Sequence, residues 1–246
     1  MLLAGDIGGT KTLLGLFDPL PVRPRALSVR SFVTLDYADL RPMLTEFLAR
    51  ERSSADALES ACFGVAGPVL GDTAELTNVP WRIDAHRVAA ALGVRRVSLL
   101  NDLQAMAYAV PVLQPSELHP LQTGEALRGG NIALIAAGTG LGEALLHNVD
   151  GRFVPSPSEG GHADFPARTD REIDLVRDLI AQYGRAEVEQ VVSGHGLINI
   201  HRSVHRQPCA ARIDLDDGDA PALITAAAMA HACAACADAL DLFVEA

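Results

Sequence analysis

The stretch Leu2-Leu3-Ala4-Gly5-Asp6-Ile7-Gly8-Gly9-Thr10-Lys11-Thr12-Leu13-Leu14-Gly15-Leu16-Phe17 sets an apolar run on either side of Gly8-Gly9-Thr10. It reads as strand, tight glycine turn, strand. The plan returns later, where Ile132 to Ala137 and Glu143 to His147 flank Gly138-Thr139-Gly140-Leu141-Gly142. Each second strand is soon followed by an aspartate, Asp18 and Asp150. Two such hairpins, each near the start of a lobe, imply a duplicated α/β architecture with both turns facing one shared cleft. The division is expected between a small α/β lobe at 1–110 and a large α/β lobe at 111–246, with Pro111 and Pro115 bracketing a hinge.

Between the hairpins, Leu40 to Arg52 has helical spacing, Ala61 to Ala66 is a buried-strand candidate and Ile83 to Leu92 is helical. Val94 to Leu100 reads as a strand that delivers Asn101-Asp102 at its carboxyl end, just before the helical stretch Leu103 to Ala109. Strand ends of this kind are where α/β folds place ligand groups. Beyond the second hairpin, Asp170 to Gln182 and Ala186 to Val192 read as helices, and Gln207 to Pro221 as a polar loop.

Composition narrows the function classes. Hydrophobic residues make up 49% of the 246, aromatics only 4%, so the interior must be packed with Ala, Leu and Val rather than rings. The formal charge of −11 is spread along the chain and argues against nucleic acid as a partner, whose affinity rests on basic contacts to phosphate. Lys11 is the only lysine, the other basic residues being arginine. Met1-Leu2-Leu3-Ala4 meets Asp6 without the basic and apolar regions of an export signal, so a cytoplasmic location is expected. The alanine-rich tract Ala222 to Ala237 contains His231 and is flanked by Asp219 and Asp238; it reads as a buried or amphipathic helix before a membrane span. Cysteines fall at 62, 209, 233 and 236 without a regular framework. Cys233-Ala-Ala-Cys236 is read as buried helical thiols, since no second ligand pair of convincing spacing accompanies it, and no metal site is expected.

Chemistry is concentrated in four places. Asp6-Ile7-Gly8-Gly9-Thr10-Lys11 offers amides without Cβ obstruction, a hydroxyl and a cation, the parts of a phosphate cradle, although a plain hairpin turn is the alternative. The Asp6 carboxylate would repel phosphate unless Mg²⁺ came with the nucleotide. This is not a P-loop, because counting from Gly5 the required second glycine is Thr10. Gly138-Thr139-Gly140-Leu141-Gly142 is spaced G-x-G-x-G and runs on into a strand, which argues against a dinucleotide fingerprint and, paired with the first hairpin, for a second phosphate clamp. Asn101-Asp102 is either a helix cap or a reactive pair. Glu159-Gly160-Gly161-His162 sets a carboxylate and an imidazole around two glycines, while Glu189 and Gly67-Pro68 carry little independent signal. Planar polar groups beside two phosphate-type turns fit a polyol next to a nucleotide.

In these residues the chain resembles the bacterial glucokinase family, within the two-lobed, actin-like, ribonuclease H-like superfamily of hexokinase-type ATP-dependent enzymes. The matching pieces run in family order: Gly5 to Thr10, Leu76-Thr77-Asn78, Leu100-Asn101-Asp102, Gly138 to Gly142, Glu159 to Phe165 and Val192 to Leu197. The resemblance implies a hexose phosphotransferase that phosphorylates glucose at its 6-hydroxyl with ATP and Mg²⁺. Asp102 is implied as catalytic base, with Asn101, Glu159, His162 and Glu189 holding glucose. Asp6, Gly8, Gly9, Thr10, Lys11, Gly138, Thr139 and Gly140 are implied to serve the ATP phosphates. The cysteine cluster of related zinc-containing sugar kinases is missing, which puts the chain on the zinc-free branch. Family members run several dozen residues beyond the position matching Ala246, so the second lobe is expected to be incomplete and adenine binding impaired. Glucose and ATP are the expected partners and a homodimer the assembly to test. The rival readings are a kinase for another hexose, a non-catalytic sugar sensor or pseudo-kinase, and an actin-like filament protein.

Overall fold

A computed structural model describes residues 1–51, 58–76, 79–125, 127–205 and 209–246. The opening stretch forms β1 (Leu2–Ile7) and β2 (Lys11–Asp18), antiparallel with Ile7 opposite Thr12. β3 (Arg25–Val33) continues the meander on the outside of β2. A helix, α1 (Leu40–Arg50), follows because Asp39 accepts a hydrogen bond from the Arg41 amide at 2.8 Å and so caps its first turn. β4 (Ser60–Val65) then returns parallel to β1. Short strands β5 (Val69–Leu70), β6 (Thr73–Glu75) and β7 (Arg82–Asp84) make a small separate sheet. Asp84 ends β7 and caps α2 (Ala85–Leu92), so the Ile83–Leu92 stretch is part strand, part helix; Gly93 closes the helix with φ +68°. β8 (Val97–Asn101) pairs parallel to β4 and leads into α3 (Asp102–Ala109).

The resulting sheet has the order β3-β2-β1-β4-β8. Its parallel members end at one level, since Ile7 is opposite Val65 and Val65 opposite Asn101. The carboxyl ends of three strands therefore open on the same edge. Leu3, Ile7, Leu14, Leu16, Phe63 and Val65 are buried against Leu40, Met43, Leu44 and Phe47 of α1. Gly64 brings α3 onto the sheet: a Cβ there would lie 3.0 Å from the Ala105 Cβ and 3.8 Å from the Asp102 Cα.

β9 (Ile132–Ala137), β10 (Leu141–Val149) and β11 (Arg152–Ser158) pair in the order β11-β10-β9. Four helices follow: α4 (Asp170–Tyr183), α5 (Gly194–Val204), α6 (Ala220–Met229) and α7 (Ala234–Glu245). α4 opens with a capping box of Thr169 and Glu172 and stops at Gly184, φ +83°. The Glu172 carboxyl is held below its usual range, first by the hydrogen bond it accepts from the Arg168 amide. Leu175, Leu179, Ile200, Ile224, Cys236 and Leu242 meet in the core of this part. By contacts the chain forms two compact units, one of Met1–Ile132 with Leu145–Pro157 and one of Ala133–Ala144 with Ser158–Ala246.

Two helix expectations are corrected. Ala186–Val192 is not helical: the amides of Val188 and Glu189 donate to Ala163 and Gly161, and Phe165 donates back to Ala186, so this segment pairs sideways with the 160–165 strip. The Ala222–Ala237 tract is broken between α6 and α7, which are bent by 105°. His231 sits there at φ +53°, with the Ala232 amide bonded to Ala227 and its own amide to Ala228, the pattern of a Schellman stop. Glycine normally fills that position, and its absence hides the break from the sequence. Pro221 falls in the first turn of α6, where its missing N–H costs no bond, so the polar loop ends earlier than expected. Among the described residues no single helix is long and apolar enough to cross a membrane.

Phe47, fully buried and edge-on to Phe32 at 6.3 Å, joins α1 to the sheet. Phe47→Ala is expected to cost about 3–5 kcal/mol, the usual range for a buried ring, read from urea unfolding at constant m-value.

Candidate active site

The sequence-derived residues fall into two groups, one in each unit. In the first unit the turn after β1 is held from behind: the Gly8 amide donates to the Lys11 carbonyl at 3.1 Å, and the Thr34 hydroxyl donates to the Gly8 carbonyl at 2.8 Å. The Thr34 amide donates to Thr10, and the Thr34 and Thr12 hydroxyls share a buried hydrogen bond of 2.9 Å. The amides of Gly9 and Thr10 have no partner among the described residues. A Cβ on Gly8 would lie 2.9 Å from the Lys11 carbonyl oxygen, so this tight closure requires glycine.

On the same sheet edge stand Asn101 and Asp102. Asn101 caps α3, accepting from the Leu103 amide at 3.0 Å, and that amide is also 2.8 Å from Asp102 Oδ1. The two side chains thus share one amide at the start of α3, with Asn101 in the N-cap position. Asp6, at the end of β1, feels Asp102: partial desolvation first, and the Asp102 charge second, push its carboxyl above the ordinary aspartate value. A carboxyl group whose ionisation is made costly by burial and by a neighbouring carboxylate is a position suited to a cation.

In the second unit the turn between β9 and β10 is braced by the first turn of α5. The Gly194 and His195 amides donate to the Gly138 and Thr139 carbonyls, and the Gly138 amide closes the turn onto Gly140. Ser193 caps α5, accepting from Gly196 at 2.9 Å while its hydroxyl donates to the Glu189 carbonyl. The Glu189 carboxylate accepts from the Leu141 amide at 2.7 Å and lies where a Cβ on Gly140 would stand. It is therefore engaged with the hairpin. The Thr139 and Gly140 amides have no partner among the described residues. A cavity of about 370 Å³ adjoins the turn, lined by Thr139, His195, Asn199, Arg202 and Asp216. A second, of about 550 Å³ and more apolar, is lined by Gly138, Leu197, Ala226, Met229 and Phe243.

Glu159 and His162 lie at the two ends of a short 3₁₀ turn, Gly160–His162. The His162 Nε2 is 3.8 Å from Glu159, and its Nδ1 is 3.0 Å from Glu187. Glu187, which the sequence reading missed, also takes Arg185 at 3.3 Å, and Arg185 donates to the His162 carbonyl at 2.9 Å. The hydrogen bond to Glu187 raises the His162 pKa, helped by the nearby charges of Glu189, Glu187 and Glu159. The Glu159 side chain is 90% exposed and so free to meet a ligand. Such a set of carboxylates and imidazole can grip hydroxyl groups from several sides. The signal for Glu187 was the alternation Glu187-Val188-Glu189, which an extended segment, but not a helix, aims in a common direction. Leu76-Thr77-Asn78 contributes only Leu76 to this description, as Thr77 and Asn78 lie outside the described residues.

A family model for glucokinase matches residues 3–246. The chain belongs to the glucokinase family. It is 39% identical over 214 residues to a glucokinase of Nostoc punctiforme, covering 86% of this chain and 62% of that relative. To a glucokinase of Salmonella arizonae it is 34% identical over 242 residues, covering 98% and 72%. The chain thus spans less than two thirds of the first of these curated relatives. A crystal structure of glucokinase from an Antarctic psychrotroph matches with a TM-score of 0.84 at 25% identity, over 98% of this chain and 74% of that one. The glucokinase of Balamuthia mandrillaris, crystallised with glucose, shares the fold at a TM-score of 0.71 and 23% identity, over 98% and 72%. The expected fold class, the two-lobed α/β fold of actin-like sugar kinases, is thereby borne out.

The His162–Glu187 pair has a readable pH signature. With the folded pKa above the unfolded one, its contribution to stability is full below about pH 6.5 and is lost as pH rises through the folded value. Because the His162 side chain is 53% exposed, that contribution is expected to stay under about 1 kcal/mol. In an NMR titration His162 should titrate above an unfolded-chain histidine, and Glu187→Gln should move it down. An unchanged titration in that variant would separate the two residues in solution.

Proposed function

We propose that the protein transfers the γ-phosphoryl group of ATP to the 6-hydroxyl of glucose. The observation that carries this reading is the end of β8: the Leu103 amide is shared by Asn101 and Asp102 Oδ1, which leaves Asp102 Oδ2 without a hydrogen-bond partner among the described residues, near Asp6 at the end of β1. Family membership and relatives named glucokinase support it, as does the glucose found in the Balamuthia mandrillaris structure.

In this reading Asp102 accepts the proton of the 6-hydroxyl as that oxygen bonds to phosphorus and the bond to the leaving ADP oxygen breaks. Asn101, Glu159 and His162 hold sugar hydroxyls, and Glu187 orients His162 and favours its charged form. Glu189 contributes to the sugar side by fixing the second hairpin. The open amides of Gly9, Thr10, Thr139 and Gly140, with Lys11, take phosphate oxygens. The cavities flanking the second hairpin provide a polar and an apolar wall for a nucleoside. Mg²⁺, arriving with ATP, would neutralise charge on the phosphates; Asp6, whose carboxyl is costly to ionise alone, is the residue to hold it through water. We place the small lobe at 1–110, the large lobe at 111–246, and the activity in the cytoplasm, with dimerisation open to a sedimentation measurement.

The test uses the protein as the cell makes it, assayed for glucose-dependent ADP formation. Asp102→Asn keeps shape and capping ability but removes proton acceptance, so kcat should fall roughly 10²- to 10⁴-fold with melting temperature and glucose affinity nearly unchanged. A variant that unfolds readily while its folded fraction turns over normally would make Asp102 structural and end the proposal.

Glu159→Gln addresses the sugar side. Loss of one charged hydrogen bond should weaken glucose binding by about 1–3 kcal/mol in calorimetry, and unchanged affinity would move the sugar site elsewhere.

A further inference from the structure

The break between α6 and α7 turns Cys233 and Cys236 towards a third thiol. Cys209 Sγ lies 3.9 Å from Cys233 Sγ and 3.8 Å from Cys236 Sγ, and His205 Nε2 lies 3.5 Å from Cys233 Sγ. The three sulfurs all fall within 4.8 Å of one another, and His205 falls within the same distance of Cys209. All three cysteines are free thiols, and Cys233 and Cys236 are buried. These spacings can be compared with a metal tetrahedron. Zinc–sulfur bonds of about 2.3 Å at tetrahedral angles put sulfurs about 3.8 Å apart, and a zinc–nitrogen bond of about 2.0–2.1 Å puts nitrogen about 3.5 Å from sulfur. The two Cys209 sulfur separations and the Cys233–His205 separation match these values, while His205 and Cys236 would have to draw together as an ion bound.

We propose that Cys209, Cys233, Cys236 and His205 form a closed Cys₃His site for a structural zinc ion. The donor set selects the metal: three thiolates and an imidazole at tetrahedral spacing suit zinc over the oxygen-seeking magnesium or calcium. The architecture fits a structural role. His205 follows the last turn of α5, Cys209 lies in the segment before α6, Cys233 is the N-cap of α7 and Cys236 is in its first turn. One ion would therefore tie three parts of the second unit together across the left-handed stop at His231. A second observation points the same way. His201, buried and stacked on His205 at 4.6 Å, has both ring nitrogens without a hydrogen-bond partner among the described residues. Buried polar atoms left so mark a place where a further polar or ionic group belongs, and they make His201 the alternative nitrogen donor that the variants below distinguish from His205. His201 also comes within 4.8 Å of Cys209 and His205, but His205 is assigned as ligand because its Nε2 stands 3.5 Å from Cys233 Sγ. The site is separate from the hairpins and the Glu159 cluster, and it stands whether or not the kinase reading does.

The test is metal analysis of the purified, fully reduced protein after growth with zinc, followed by cobalt substitution. About one zinc per chain should survive gel filtration, the chelated apoprotein should melt at lower temperature, and added zinc should restore the melting point and release protons. Cobalt should give the intense visible bands of a tetrahedral site and sulfur-to-metal charge transfer. Cys209→Ser, Cys236→Ser and His205→Gln should each reduce retention at least tenfold, whereas Cys62→Ser and His201→Gln should keep the cobalt spectrum. Because some variants could fold poorly, the wild-type measurement decides alone. Failure of the reduced protein to bind zinc more tightly than micromolar against a chromophoric chelator overturns the proposal. Loss of the cobalt spectrum in His201→Gln but not in His205→Gln overturns the ligand assignment. A Cys233–Cys236 disulfide in protein that takes up no zinc on reduction would show a redox pair instead.

Discussion

A chain that presents bare backbone amides to solvent must keep them from closing on its own carbonyls. In this protein both glycine turns meet that constraint by being gripped from behind. Thr34 holds the first through the carbonyls of Gly8 and Thr10. The leading amides of α5 hold the second through the carbonyls of Gly138 and Thr139. The bracing side chains are themselves fixed, Thr34 by Thr12 in the core and Ser193 by the Glu189 carbonyl. Similar local shapes are thus obtained from different supports, a strand-end hydroxyl in one unit and a helix terminus in the other. What is common is the steric demand, most explicit at Gly8, where any Cβ would strike the Lys11 carbonyl.

The carboxyl-end edge of the first sheet follows from the same economy of space. β1, β4 and β8 finish in register, and Gly64 lets α3 descend until Asp102 is felt by Asp6. A larger residue at position 64 would lift α3 against Ala105 and separate the two carboxylates. Strand register, one missing side chain and one asparagine cap therefore fix where Asp102 stands. Gly64 does this without touching a ligand.

Local signals were legible in the sequence wherever they were short-ranged. The apolar runs around Gly8-Gly9-Thr10 and Gly138-Thr139-Gly140 became strands at nearly the expected residues, and Asp170 to Gln182 became α4 with its capping box. Reading failed where a distant segment decided the outcome. Ala186–Val192 has helical composition, but its amides are taken by Gly161 and Ala163, a pairing across more than twenty residues that no local window contains. That misreading concealed Glu187, because its meeting with His162 exists only in the extended form. The alanine tract was read as one helix because the left-handed position is filled by His231 instead of glycine. The same break brings Cys233 and Cys236 to Cys209, whose sequence spacing announces nothing.

The placement of charge differs between the two units in a way that bears on ligand binding. In the first, Asp6 and Asp102 oppose each other, and Asp6 holds its proton more firmly than a free aspartate. Burial first and the Asp102 charge second disfavour the ionised form of Asp6, so a cation bound there would gain affinity by favouring that form. In the second, His162 is set among Glu159, Glu187 and Glu189, which stabilise its charged form, while Arg185 partly balances Glu187. In that cluster His162 is already paired with Glu187 while Glu159 stays exposed, so a polyol entering it would meet charges that are largely balanced. By this reasoning binding at the Asp6 edge should be strongly sensitive to cation concentration and raise stability, whereas binding at the His162 cluster should be governed mainly by hydrogen-bond geometry. The chain's overall acidity sharpens the contrast, since an anionic ligand reaches the first edge against repulsion unless its charge is already offset.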